Sequence, residues 1–223
     1  MRIVSWNCNG AFREKYKLVK ALEADVYVIQ ECEKPEKYYE FVADFCPNYI
    51  WTGEKESKGL CVFAKDGIQM VKNDWKSYCL RHFLSVRINN AFDLLGVWTG
   101  APYIEEYYIY QTINLDRYSK NLIIAGDFNS NAKWDKEHGS RNHSAVVRQL
   151  EQLSLASAYH YVTGEKQGEE TKDTFYMYRK KEKGFHIDFC FANTERILDF
   201  RILQDDFWLN YSDHLPLQLD FTE

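Results

Sequence analysis

The amino-acid sequence predicts an α+β fold in which β-sheets and helices are stacked in layers. Many short segments are apolar or alternate between apolar and polar residues, which is the pattern of strands, and only a few segments of moderate length have helical spacing. Residues 82–88 and 91–98 form a predicted hairpin around the Asn89–Asn90 turn. The alternative, a doubly wound parallel sheet, needs helices between nearly all strands, so this hairpin disfavours it.

The predicted elements follow one another along the whole chain without repeats or low-complexity tracts. Strands are predicted at residues 2–6, 25–29, 59–64, 82–88, 91–98, 121–126, 174–178, 185–192, 196–203 and 215–221. Helices are predicted at residues 14–23, 35–45, 103–118 and 142–153, and residues 163–173 are predicted to form a polar loop. Because no linker interrupts this order, we expect residues 1–223 to form a single domain.

Length and composition indicate a globular protein with a substantial core. The chain has 223 residues, of which 45% are hydrophobic, and its six cysteines include no CxxC pair. We therefore expect reduced, mostly buried thiols in a reducing compartment. The chain starts with a predicted strand, and no segment approaches the roughly 18 apolar residues that a membrane span needs. The expectation is a cytoplasmic monomer.

The charge balance does not by itself indicate a partner. Lys and Arg total 28 against 33 Asp and Glu, which gives a formal charge of −5. A protein that binds long nucleic acids usually has a basic face, and this composition does not require one. The excess of acidic residues is explained equally well by carboxylate ligands of a hard cation and by ordinary surface charge.

Polar side chains recur where predicted strands begin or end. They are Asn7, Glu31, Asp127, Asn129, Asp213 and His214, and Asp188 is a further candidate within the predicted apolar strand 185–192. Strand ends in layered folds meet at one rim, so these side chains are predicted to surround one pocket. Each has a plain structural interpretation on its own, such as a turn cap, a surface charge or a core histidine. Together they supply one base candidate, four carboxylates and two amides near strand edges, and this combination indicates a functional site.

Five segments carry a family resemblance. The segments SWNCNG, IQEC, GDFNSN, HIDFCFAN and SDHLPL resemble, in the same order, the motifs of the endonuclease/exonuclease/phosphatase superfamily, and they span residues 5 to 216. The segment TFY at 174–176 and the basic stretch 179–183 resemble the apurinic/apyrimidinic endonuclease and exonuclease III branch. The resemblance implies a four-layer α/β/β/α sandwich with two central mixed β-sheets.

The resemblance also implies divalent-metal-dependent hydrolysis of a phosphoester and a role for each matching residue. The metal ligands for Mg²⁺ or Mn²⁺ would be Asn7, Glu31 and Asp213. The catalytic residues would be Asp127, which activates water, Asn129, which supports the phosphate, and the pair Asp188 and His214. The substrate-binding residues would be Asn7, Asn9, Trp98, Phe175 and Tyr176. Asn9 stands where many relatives have Asp.

One segment departs from the family pattern. Most relatives carry Tyr-x-Pro-Asn or Asn-x-His after the central strand, whereas residues 96–103 read GVWTGAPY. Trp98 or Tyr103 could take the missing place near the phosphate, although Trp offers a single N–H donor and packing in the core explains it equally well. Lys58 could approach a phosphate, but we interpret it as a solvated lysine.

Three functions remain open at this point. The first is a DNA nuclease, supported by the motif set and by aromatic residues that could stack on a base. The second is a hydrolase of a small or lipid-headgroup phosphoester, supported by the acidic balance and the departing segment. The third is a non-catalytic binding module of the same fold, which the complete set of polar residues disfavours.

Overall fold

The computed structural model describes residues 1–222, which form fourteen strands and five α-helices. The strands are β1 (Arg2–Asn7), β2 (Val26–Cys32), β3 (Asn48–Lys55), β4 (Lys58–Ala64), β5 (Met70–Lys72), β6 (Phe83–Ile88), β7 (Phe92–Trp98), β8 (Leu122–Asp127), β9 (Leu155–Ser157), β10 (Phe175–Tyr176), β11 (Gly184–Phe185), β12 (Asp188–Asn193), β13 (Ile197–Ile202) and β14 (Leu217–Phe221). The helices are α1 (Phe12–Lys20), α2 (Tyr39–Phe45), α3 (Ile104–Ile113), α4 (His143–Glu151) and α5 (Ala158–Thr163).

Two six-stranded sheets contain most of these strands. The first sheet has the order β13-β14-β1-β2-β4-β3, and the second has the order β5-β6-β7-β8-β12-β9. Each sheet is mixed, because β1 and β2 run parallel in the first and β7 and β8 run parallel in the second, while the other pairs are antiparallel. The prediction of an α+β fold with two mixed sheets is confirmed, and the doubly wound alternative is excluded.

The hydrophobic core lies between the two sheets, and helices cover their outer faces. Phe12 of α1 packs against Phe63 of the first sheet with ring centroids 5.6 Å apart. On the second sheet, Tyr110 of α3 packs against Phe83 at 4.4 Å. Such aromatic contacts bury large apolar areas and therefore stabilise the four-layer arrangement.

The longest helix in the described part of the chain is α3, with 10 residues. Among the described residues, no helix has the length and apolar character that a membrane-spanning helix needs.

The predicted hairpin is present as β6 and β7. Asn89 and Asn90 both have positive φ, at 49° and 53°, as the two central residues of a type I′ turn require. The predicted helix at 142–153 forms α4, and the Asn142 side chain caps its first turn by accepting from Ala145 N.

Other elements differ from the expectation or were not predicted. The helix predicted at 103–118 ends at Ile113, and the strand predicted at 174–178 is reduced to Phe175–Tyr176. Strands β3, β5 and β9 and helix α5 had no clear signal. Strand β3 lies at a sheet edge with no fully buried residue, and the other three elements have only three to six residues. Short or half-exposed elements give too few apolar positions for periodicity to be recognised.

The two parallel strand pairs direct their carboxyl ends toward a common rim. Asn7 is the register partner of Gln30 in the first sheet, and Trp98 is the register partner of Asp127 in the second. Just before Asp127, Gly126 has a φ of 153°, and a Cβ there would collide with the carbonyl of Val97. Glycine is thus needed at this position for β8 to approach β7 closely.

Candidate active site

Asp127 lies at the centre of a buried hydrogen-bond network that joins the two sheets. Its side chain is almost fully buried, and its Oδ2 accepts from Asn7 Nδ2 at 3.0 Å across the sandwich. Asn129, with φ of 45°, turns back so that its backbone N donates to Oδ1 at 2.8 Å and its Nδ2 donates to Oδ2 at 3.0 Å. Three donors therefore fix the carboxylate in one orientation.

His214 and Asp188 form a second buried pair beside Asp127. His214 Nδ1 lies 3.0 and 3.1 Å from the two oxygens of Asp188, and Nε2 lies 3.9 Å from Asp127 Oδ2. With a proton on Nδ1, the ring donates to Asp188 and directs Nε2 toward Asp127. Thr174 Oγ1 donates to Asp188 Oδ2 at 2.6 Å and accepts from the backbone N of Asp188, so the carboxylate is itself held in place.

The sequence did not identify three further residues that hold this pair in place. Besides Thr174, Ser212 Oγ donates to the Asn7 carbonyl at 2.7 Å and accepts from His214 N at 3.0 Å. Trp6 Nε1 donates to the His214 carbonyl at 2.9 Å. All three lie inside the segments SWN, TFY and SDH, so the only available signal was their place in those segments.

Burial and neighbouring charges shift the pKa of both titratable groups that face each other. Burial, aided by the nearby Asp188 carboxylate, raises the pKa of Asp127 to about 7 despite the opposing effects of His214 and Asn7. For His214, burial alone would lower the pKa. The carboxylates of Asp188 and Asp127 outweigh it and raise the pKa to about 9. Asp127 can thus lose its proton near neutral pH while His214 remains an imidazolium.

Glu31 lies at the same rim, one residue beyond the register partner of Asn7. It interrupts β2 with a φ of 60° at a β-bulge, and its side chain is 17% exposed. Its Oε2 is buried and accepts no hydrogen bond of regular geometry among the described residues, but Lys58 Nζ lies 2.5 Å away. Asp213 precedes His214 with a partly exposed side chain.

The donor chemistry at this rim fits a hard divalent cation. Glu31 and Asp213 carry carboxylates and Asn7 an amide oxygen, the ligand types that Mg²⁺ and Mn²⁺ prefer. A different group, Asp127, Asp188 and His214, has one potential ligand atom from each residue within 4.8 Å of the others. Those three are already bonded to one another or to neighbouring donors, whereas the buried Glu31 oxygen lacks a regular donor.

The predicted substrate-binding residues separate into different environments. Asn9 is exposed at the rim, with its backbone N donating to Asn7 Oδ1 at 3.0 Å. Trp98 is half-buried and packs on the ring of His82 at 4.3 Å. Phe175 packs on the ring of His214 at 4.6 Å. Tyr176 faces away and lines a separate cavity with Lys181 and Leu209.

An open, largely aromatic cavity adjoins the site. It has a volume of about 300 Å³, and Asn129 lines it as well as contacting Asp127. Its other walls include Tyr103, Trp134, Phe175, Met177, Phe185 and Ile187. The cavity therefore offers apolar ring faces directly beside the polar centre.

A sequence model described as "Endonuclease/Exonuclease/phosphatase family" matches residues 4–214. The chain belongs to this family, whose members are hydrolases of phosphoester bonds. The match confirms the superfamily that the five segments resemble. No curated protein matches the chain.

Solved structures share the fold across the full length of the chain at low sequence identity. An AP endonuclease from Archaeoglobus fulgidus is 17% identical with a TM-score of 0.73, and the 3′-5′ exonuclease NExo from Neisseria meningitidis is 17% identical with a TM-score of 0.72. A variant of NExo from Neisseria, described as a 3′ phosphatase bound to a product DNA hairpin, is 16% identical with a TM-score of 0.70. In each comparison 100% of both chains is covered, and at these identities the likeness shows the fold alone.

Proposed function

We propose that this protein is a divalent-metal-dependent DNA nuclease that hydrolyses a phosphodiester with an activated water. The observation that carries the proposal is that Asn129 both holds Asp127 and lines the aromatic cavity. A phosphate at Asp127 would thus have a neighbouring sugar or base against aromatic walls. The DNA-directed relatives of the same fold add support.

Asp127 is the proposed general base. Water has a pKa near 15.7 and must be activated before it attacks phosphorus. The raised pKa of Asp127 makes this carboxylate a better proton acceptor near neutral pH than an ordinary aspartate. Glu31, Asn7 and Asp213 are proposed to hold Mg²⁺ or Mn²⁺, which when bound offsets phosphate charge and helps to activate water.

His214 is the proposed stabiliser of the phosphate in the transition state. Its Nε2 faces Asp127, while Asp188 keeps the ring charged and oriented. An imidazolium N–H directed at a phosphate oxygen stabilises the negative charge that builds up there. Asn129 and Asn7 carry amide N–H groups beside the same position and are proposed to assist.

The basic loop beside the cavity supports a polyanionic substrate. Met177 lines the cavity, and the residues that follow it include Arg179, Lys180 and Lys183, whereas Lys181 pairs with Asp206 at the separate cavity. Arg179 is anchored by a hydrogen bond to the Asn210 carbonyl at 3.1 Å, and Tyr178 stands 75% exposed beside it. Cations on such a loop contact backbone phosphates, and an exposed ring stacks on bases.

The direct test is cleavage of fluorescent oligonucleotides by the intact chain. With Mg²⁺ or Mn²⁺ we expect cleavage of at least one of three substrates, namely a single strand, a duplex or a duplex with an abasic site, and EDTA should abolish it. The absence of cleavage with all three would eliminate the DNA nuclease. Turnover of a small chromogenic phosphodiester in the same preparation would then favour the small-phosphoester hydrolase.

The pH dependence of kcat/KM, which reports the pKa values of the free enzyme, is expected to be bell-shaped. Activity should rise as Asp127 loses its proton around pH 7 and fall as His214 loses its proton around pH 9, because one acts as a base and the other as a cation. Initial rates at substrate concentrations below KM, between about pH 5.5 and 10, measure both limbs. The His214→Gln variant should lose the alkaline limb, and an unchanged profile in that variant would contradict the role of His214.

A further inference from the structure

The ion pair between Lys58 and Glu31 is an unusual feature of the rim. Lys58 Nζ lies 2.5 Å from Glu31 Oε2, an oxygen that is otherwise buried without a regular hydrogen bond. The lysine side chain is 46% exposed and the glutamate side chain 17% exposed. The sequence indicated a solvated lysine, whereas the structure pairs its ammonium with Glu31, one of the two carboxylates that are assigned to the cation.

The β3–β4 hairpin positions Lys58 for this contact. Lys58 is the first residue of β4 and the register partner of Lys55, and the next residue, Gly59, pairs with Cys32 across the bulge at Glu31. A Cβ at Gly59 would collide with the Trp51 ring and the Thr52 carbonyl, so glycine allows the hairpin to approach β2 closely.

A second contact fixes the tip of the same hairpin. Lys34 N donates to the Glu56 carbonyl at 2.7 Å, which joins the tip to the segment after β2. The tip is thus tied to both β2 and the chain beyond it. The backbone of Lys58 is therefore held where its side chain reaches Glu31.

A lysine ammonium and a divalent cation compete for the same carboxylate. Both are positive, and within about 4–5 Å they repel each other strongly at the effective dielectric of a partly buried site. A cation that binds Glu31 must therefore displace Lys58. The free energy of breaking the ion pair and of crowding the two charges lowers the affinity of the site for the metal.

We propose that Lys58 is a built-in competitor of the divalent cation at Glu31 and sets the metal affinity of the site. Without the cation, Lys58 neutralises Glu31. With the cation bound, the ammonium is displaced toward solvent at the rim, where anionic substrate oxygens approach. This inference rests on the proposed cation site, but it concerns a binding equilibrium that is measured without any DNA.

The test is a Mn²⁺ titration of the intact chain at about 150 mM salt, where distant charges are largely screened. Free Mn²⁺ is followed by electron paramagnetic resonance, and calorimetry provides a second measurement. We expect Lys58→Met to bind Mn²⁺ about 5- to 20-fold more tightly than the wild type, as removal of one ion pair and one repulsive charge implies. Lys58→Arg keeps the charge and should bind like the wild type.

Two further variants make the test specific. Lys55→Met removes the same charge from the register partner of Lys58 on the same hairpin, and it should leave the Mn²⁺ affinity within about twofold of the wild type. In a Glu31→Gln background, Lys58→Met should no longer increase the affinity, since the carboxylate for which the two cations compete is gone.

Several results would overturn the proposal. They are an unchanged affinity in Lys58→Met, an equal gain in Lys55→Met, a gain that persists in the Glu31→Gln background, and an absence of Mn²⁺ binding in both the wild type and Lys58→Met. A chain that cleaves no DNA but shows the expected affinities would refute the proposed nuclease while leaving the role of Lys58 intact.

Discussion

Replacing Asp127 with Asn is expected to lower kcat by about 10⁴-fold, the upper end of what general acid–base catalysis contributes. The amide keeps the size of the side chain but cannot accept a proton from water. Its oxygen can still accept one of the hydrogen bonds from Asn7 and Asn129, and a neutral group costs less to bury than a carboxylate. We therefore expect melting temperatures close to that of the wild type.

A matched variant distinguishes this effect from a general loss of buried charge. Asp93 is a buried aspartate at the opposite end of β7, where it pairs with Arg87 and accepts from Asn73 Nδ2 at 2.8 Å. Asp93→Asn should retain wild-type kcat in steady-state assays at saturating substrate. Activity within about tenfold of the wild type in Asp127→Asn would refute its assignment as the base.

Replacing His214 with Ala is expected to lower kcat by about 10²–10³-fold, as the loss of one oriented donor to a developing charge does. It should also lower the free energy of unfolding by about 3–5 kcal/mol, because Asp188 is left buried without its cationic partner. Denaturant unfolding measures the effect on stability, and steady-state rates at saturating substrate measure the effect on kcat.

The double variant His214→Ala with Asp188→Asn separates stability from catalysis. Removal of the unpaired carboxylate should restore much of the lost stability, because Thr174 can still hydrogen-bond to the amide. The rate should remain low, since no cation faces the phosphate. A double variant that regains activity would show that His214 acts only on the fold.

The gathering of the site residues at one rim was predictable because strand ends share an edge of a sheet. Asn7 and Asp127 each end a predicted apolar strand, and the structure joins them by a hydrogen bond. The segments that resemble the family then assigned a pairing of Asp188 with His214, and the distances agree with it. Local apolar patterns were sufficient for this part of the architecture.

The contacts of Glu31 were not predictable in the same way. A bulge and a positive φ at this residue interrupt the alternation of β2, and Glu is not a residue that favours the left-handed region. Lys58 reaches it from another strand, across a register that only the folded hairpin defines. Sequence spacing therefore gave no indication that this lysine is paired.

The position of Tyr176 differs from the sequence-based expectation for another reason. The sequence assigned it with Phe175 to the substrate, but neighbouring residues of a strand point to opposite faces. Phe175 packs on the His214 ring, whereas Tyr176 lines a separate cavity. The aromatic partner that accompanies Phe175 is Phe185, at a ring distance of 6.3 Å, which comes from the neighbouring strand β11. Strand alternation would have excluded Tyr176 from the stacked set before any coordinates were known.

The hydrogen bond from Asn7 to Asp127 crosses the interface between the two sheets, so each sheet contributes only part of the proposed catalytic site. The two sheets pack closely at this interface: a Cβ added at Gly96 would lie only 3.1 Å from the Val28 side chain. This packing keeps the two sheets aligned. A small displacement of one sheet relative to the other would separate Asn7 from Asp127, while the hydrogen bonds within each sheet remained intact. As the sandwich loosens, the rate of enzymatic turnover should therefore fall before the circular dichroism signal changes.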